Sequence, residues 1–97
     1  MKNYFDIKVR IAVITGGSSS LGVQIAKAFA SQGVKLALFA RREDKLKAVA
    51  EEIADEFGVE VMYAVTDVTD YENVEESVQK VIDKFGRIDI LVNSAGV

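Results

Sequence analysis

The stretch Arg10-Ile11-Ala12-Val13-Ile14-Thr15-Gly16-Gly17-Ser18-Ser19-Ser20-Leu21-Gly22 decides the fold. Its first half is a short, continuous apolar run, which suits a strand buried on both faces. Gly16-Gly17 stops that run, and three serines lead into Leu21, Ile25, Ala26 and Phe29 at helical spacing, ending at Gly33. A buried strand, a glycine turn and an amphipathic helix open a βαβ unit.

The rest of the chain repeats the alternation. Residues 34–40 (VKLALFA) read as a second strand, and Leu46, Val49, Ala50, Ile53 and Phe57 trace a second helix face closed by Gly58. Residues 59–65 alternate with branched side chains and read as a third strand. Val74, Val78, Val81, Ile82 and Phe85 mark a third helix ahead of Gly86, and residues 88–92 (IDILV) form a fourth apolar run. The predicted order βαβαβαβ implies an α/β fold with a parallel sheet and helices on both faces. Right-handed crossovers favour a Rossmann-like doubly wound sheet of strand order 3-2-1-4, with its switch point between strands 1 and 4. The fourth run then forms an apolar edge open to self-association.

Composition narrows the chemistry. The chain has 97 residues and a formal net charge of −3, from 12 basic and 15 acidic side chains, which points to neither a nucleic-acid nor a membrane partner. It contains no Cys, His, Pro or Trp, so disulfides, thiolate nucleophiles, histidine bases and Cys/His metal sites are all excluded within it. The longest apolar runs are too short for a signal-peptide core or a membrane span, and the expected setting is the cytoplasm.

In a sheet of this kind, ligands sit beyond the carboxyl ends of the strands at the switch point. The loop from Thr15 to Gly22 would turn helix N–H groups and a positive dipole end toward a pyrophosphate, with Gly16, Ser18, Ser20, Leu21 and Gly22 as candidates. The plainer alternative is a turn in which Ser18 or Ser19 only caps the helix. Gly17 and Gly22 have Walker spacing, but Val23 stands where the phosphate-binding lysine belongs, and G-x-G-x-x-G is not met. After strand 2 come Ala40-Arg41-Arg42, eighteen residues or more beyond Gly22. An acidic residue near that point would bind a ribose 2′-hydroxyl, whereas arginines suit a 2′-phosphate. The alternative is a surface pair bridging Glu43 and Asp44. In the third loop Asp70 is the expected helix N-cap, which frees Asp67, beside Val68, to accept from a base amino group or to serve as a turn aspartate. The fourth loop, Asn93-Ser94-Ala95-Gly96, is built of small residues that let a flat ligand approach the backbone.

Taken together, these loops resemble the short-chain dehydrogenase/reductase family. Residues 15–22 resemble its T-G-x-x-x-G-x-G loop, Ala40-Arg41-Arg42 the NADP-preferring end of strand 2, and Asp67-Val68 the adenine contact. Asn93-Ser94-Ala95-Gly96 resembles N-N-A-G with Ser94 in place of the second Asn, and Phe5-Asp6-Ile7-Lys8 is similar to the family's F-D-L-K lead-in. Ser20 departs from the pattern by replacing the central glycine, and the lead-in bears some likeness to gluconate and other sugar-acid dehydrogenases. The resemblance implies an NADP(H)-preferring oxidoreductase acting on a small carbonyl or alcohol, with NAD less favoured. Its cofactor residues would be Gly16, Ser18, Ser20, Leu21, Gly22, Arg41, Arg42, Asp67, Val68, Asn93, Ala95 and Gly96.

The family's catalytic Ser, Tyr-x-x-x-Lys pair and Asn have no counterpart here: Tyr71 is followed four residues later by Glu75. The resemblance therefore implies that residues 1–97 are the N-terminal cofactor-binding part of a longer enzyme that assembles as a homo-oligomer, inactive as they stand. Two rival readings are a non-catalytic dinucleotide-binding module and a folding fragment without a competent site.

Overall fold

A computed structural model describes residues 10–94. The elements run β1 (Ile11–Thr15), α1 (Ser20–Ser31), β2 (Lys35–Ala40), α2 (Glu43–Phe57), β3 (Val61–Val65), α3 (Tyr71–Phe85) and β4 (Ile90–Asn93). All strand pairs are parallel, and the order is β3-β2-β1-β4, as the alternation of elements predicts. The expected fourth strand starts two residues later than the apolar run: Ile88 packs with the core beside α3, and pairing in the sheet begins at Ile90.

Strand period and helix stripe together explain the two layers. On β1 and β2, Ala12, Ile14, Leu36 and Leu38 point to one face and pack with Ala26 and Ala30 of α1 and Leu46, Ala50 and Ile53 of α2. Ile11, Val13, Ala37 and Phe39 point to the other face, where Ala64 of β3 and Val81 of α3 join them. Burial of both faces is why β1 and β2 are continuous apolar runs rather than alternating ones. Ile82, expected on the inward face of α3, instead lies 36% exposed, because the buried line of that helix runs through Ser77 and Val81.

Turn chemistry ends each helix where the apolar stripe ends. Gly58 and Gly86 adopt left-handed conformations (φ 67° and 87°) and their amides return to the carbonyls of Ala54 and Ile82. Asp89 ties the start of β4 to the start of β1. Its amide donates to the Ile11 carbonyl at 2.9 Å, and its Oδ2 accepts from the Ile11 amide at 2.9 Å. Hydrogen bonds from the Arg87 guanidinium and then the Ile11 amide hold the Asp89 carboxyl below the usual carboxylate range. A depressed carboxylate stabilises the fold above its unfolded pKa and loses that effect as pH falls through its folded value. Asp89→Asn is therefore expected to lower the melting temperature at pH 7. The deficit should shrink as pH falls below about 4 and through the depressed folded pKa of the parental carboxylate. A pH series of thermal melts checks both halves of that expectation.

Candidate functional site

The described residues of the four loops named from the sequence meet at one end of the sheet. Thr15 lies opposite Phe39 on one side and Asn93 on the other, so β1, β2 and β4 end at the same level. A cleft of about 210 Å³ opens there, lined by Thr15, Phe39, Val68, Leu91 and Asn93, with Val74 and Val78 of α3 behind them.

The first loop is shaped by what it lacks. Gly16 has φ 71°, and the amides of Gly16 and Gly17 both donate to the Phe39 carbonyl at 2.7 and 3.1 Å. Gly22 is buried against this turn, and a Cβ there would overlap the Gly16 carbonyl and crowd Gly17 Cα at 3.0 Å. Helix α1 can therefore begin almost in contact with the end of β1. Ser19, not Ser18, is its N-cap: its hydroxyl accepts from the Gly22 amide at 3.1 Å and donates to the Gly16 carbonyl at 2.8 Å. Among the described residues this leaves the amides of Ser18, Ser20 and Leu21 without acceptors, at the positive end of the helix. Gly16 and Gly22 contribute by conformation and clearance, since both of their amides are already engaged.

The two arginines separate. Arg42 is the N-cap residue of α2 and its guanidinium lies 3.4 Å from Asp44 Oδ2. Arg41 is exposed and makes no ion pair or hydrogen bond among the described residues, though its charge is felt at the Asp67 carboxyl. Only one of the two thus follows the surface-pair alternative.

Asp70 caps α3 as expected, accepting from the Asn73 amide at 3.2 Å. Asp67 serves in the turn with one carboxylate oxygen and leaves the other unengaged. Its Oδ1 accepts from the Thr69 hydroxyl at 2.6 Å and the Thr69 amide at 2.9 Å, while Oδ2 has no partner among the described residues. The Thr69 hydroxyl, then its amide, hold the Asp67 carboxyl below the usual range, with Arg41 adding to the effect against some desolvation. The neighbouring Val68 amide also has no acceptor among the described residues, so a free acceptor and a free donor sit on consecutive residues.

At the fourth loop, the Thr15 hydroxyl donates to Asn93 Oδ1 at 2.8 Å. The amide and hydroxyl of Ser94 both donate to the Thr15 carbonyl, which fastens β4 to β1 just beyond their last pairing. Ser94 thus does structural work at the position where the motif has asparagine. Ala95, Gly96 and the Phe5-Asp6-Ile7-Lys8 lead-in lie outside the described residues.

Sequence reasoning did not single out Thr15, Thr69, Asn73 or Ser77, all of which anchor these loops. Ser77 carried a signal: it is a polar residue on the apolar stripe between Val74 and Val81.

The family model for short chain dehydrogenase matches residues 10–97. The chain belongs to the short-chain dehydrogenase family. It is 47% identical over 92 residues to an uncharacterized oxidoreductase of Staphylococcus saprophyticus, covering 95% of this chain but 39% of that protein. Among solved structures, L-sorbose reductase from Gluconobacter frateurii, complexed with NADPH and L-sorbose, matches at TM-score 0.88 and 43% identity. That match covers 91% of this chain and 34% of the reductase. An alcohol dehydrogenase from the archaeon Thermococcus sibiricus, complexed with 5-hydroxy-NADP, matches at TM-score 0.82 and 46% identity, over 84% of this chain and 35% of that one. The chain thus spans well under half the length of these family members. No helix among the described residues is long and apolar enough to cross a membrane.

Gly22 offers a direct check on the packing of the first loop. Gly22→Ala should destabilise the fold by more than about 2 kcal/mol, because the methyl meets backbone that cannot turn aside. Gly58→Ala, with open space around its Cβ but φ 67°, should cost only about 1 kcal/mol. Denaturant unfolding of the two variants orders them.

Proposed function

We propose that this chain is the cofactor-binding part of an NADP(H)-preferring oxidoreductase that moves hydride between nicotinamide and a small carbonyl or alcohol substrate. The observation that carries the proposal is Arg41. It is an exposed guanidinium with no ion pair or hydrogen bond among the described residues, at the end of β2, where dinucleotide folds bind the ribose. A carboxylate there would accept from a 2′-hydroxyl, whereas a guanidinium matches a 2′-phosphate with paired donors. The NADPH in the related L-sorbose reductase and the 5-hydroxy-NADP in the related alcohol dehydrogenase support the same choice.

The remaining donors suit the other parts of such a cofactor. The free amides of Ser18, Ser20 and Leu21, backed by the α1 dipole, would hold the pyrophosphate without needing a lysine. Ser20 adds a side chain at the turn, but it is exposed as the first residue of α1, so its backbone amide remains available. Asp67 Oδ2 and the Val68 amide present an acceptor and a donor in the order that the amino group and ring nitrogen of adenine require. The cleft beside Val68 and Asn93 offers the ring an apolar surface. Asn93, oriented by Thr15, would meet the ribose side, a role the proposal also gives Ala95 and Gly96.

The nicotinamide, when bound, supplies or takes the hydride. This chain's own residues bind and orient it, and proton transfer to the substrate oxygen belongs to the part of such enzymes that the chain does not span. The 97 residues alone are accordingly proposed to bind cofactor without turnover.

Calorimetric titration tests the assignment. NADPH should bind about tenfold or more tightly than NADH, the scale of one charge-assisted contact. Arg41→Ala should abolish that preference, and Arg42→Ala should change it by less than about threefold, since Arg42 is already engaged with Asp44. Equal affinity for the two cofactors, or a preference lost with Arg42 rather than Arg41, would contradict the 2′-phosphate role. Absence of binding to both would favour a folding unit without a competent site.

A further inference from the structure

The loop that carries Asp67 and Val68 is held from below by two polar side chains of α3. Thr66 and Ser77 are 0% and 1% exposed, and their hydroxyl oxygens lie 2.6 Å apart. Thr66 Oγ1 also donates to the Ala64 carbonyl at 3.0 Å. A hydroxyl has one proton, so Ser77 is the donor of the shared bond. One turn earlier, Asn73 Oδ1 accepts from the Asp67 amide at 2.7 Å.

That second contact has an unusual reach. Asn73 is the third residue of α3, the position from which a side chain ordinarily folds back onto the N-cap amide. Here the N-cap amide, that of Asp70, is taken by the Asp67 carbonyl at 3.0 Å. Asn73 is thereby released to reach three residues further back. The Asp67 backbone is held at both its N–H and its C=O, and Thr69 fixes one carboxylate oxygen. What remains without a partner among the described residues is Asp67 Oδ2 and the Val68 amide. Asn73 and Ser77, four residues apart, lie on one side of the helix and brace consecutive residues of the strand end.

We propose that Asn73 and Ser77 are positioning residues for base recognition, holding Asp67 Oδ2 and the Val68 N–H in the arrangement that distinguishes adenine from a base with the opposite edge. The inference rests on the cofactor-site reading given above. Hypoxanthine is the informative opposite, because it presents an acceptor where adenine has its amino group and a donor where adenine has its ring acceptor. A rigid loop discriminates between the two, whereas a loop that can shift accommodates either.

The test is the ratio of affinities for NADPH and its hypoxanthine analogue, measured on the 97-residue chain and on Asn73→Ala, Asn73→Asp and Ser77→Ala, each shown to be folded by circular dichroism. The parental chain should prefer the adenine form by about tenfold, as expected for one mismatched edge. Asn73→Ala and Ser77→Ala should bring the ratio below about threefold. Asn73→Asp retains an oxygen that accepts from the Asp67 amide and should keep the parental ratio, since its added charge acts on both ligands alike. A purely structural role would weaken both ligands equally and leave the ratio unchanged in every variant, which overturns the inference while the cofactor site stands. Equal parental affinity for the two forms also overturns it. A parental chain that binds neither form overturns the cofactor site and the inference together. Should Asn73→Ala fail to fold, Asn73→Ser, one bond too short to keep the contact, takes its place in the comparison.

Discussion

The contact between Gly22 and the Gly16 carbonyl sets where everything else in the site can be. Because neither residue brings a side chain to that contact, α1 packs directly against the short turn, residues 16–19, that joins it to β1. The sharp turn costs little at Gly16, whose φ of 71° is open to glycine and strained for other residues. The Phe39 carbonyl then absorbs the two amides that the turn would otherwise leave over. Ser19 satisfies Gly22, and the amides still free are those at the mouth of the helix. Close packing inside the loop and open donors outside it are two consequences of one constraint.

The sheet keeps this loop in register with its neighbours by tying β1 at both ends. Asp89 and Ile11 exchange two hydrogen bonds where β4 and β1 begin, and Ser94 donates twice to Thr15 where they end. Between these ties, β1 is almost fully buried on both faces. A rigid central strand of this kind lets residues far apart in sequence come together at one end of the sheet, as Arg41, Asp67 and Asn93 do. The loops themselves are held by short polar contacts: Thr15 to Asn93, Thr69 to Asp67, and α3 to the strand end of β3. The proposed function falls to the groups that those contacts leave unused.

Strand order and layer structure were legible because the apolar pattern changes period cleanly. The continuous run Ile11-Ala12-Val13-Ile14 requires cover on both faces, and the stripe Leu46, Ala50 and Ile53 supplies part of it. Glycines at 58 and 86 punctuated two helices correctly because a left-handed residue ends each of them. The start of β4 was less legible: Ile88 is as apolar as Ile90, and only packing decides that one belongs to the core beneath α3 and the other to the sheet. Which serine caps α1, and which arginine stays unpaired, depends on side-chain geometry that letters do not encode. Asp67 illustrates the same limit: Thr69 engages one of its carboxylate oxygens in the turn and leaves the other without a partner among the described residues. Ser77 could have been noticed as a hydroxyl within an apolar stripe, but its partner Thr66 is eleven residues away and comes into reach only once β3 and α3 pack.

The most direct test of the cofactor site is a map of backbone amide shifts in the isotope-labelled 97-residue chain as NADPH is added. A cofactor lying across the strand ends shifts the amides of Ser18, Ser20, Leu21, Arg41 and Val68. It leaves those of Lys35, Glu60 and Asp89, at the opposite end of the sheet, in place. Shifts confined to that opposite end, or spread evenly over the surface, would contradict a dinucleotide site built on the Gly16 turn.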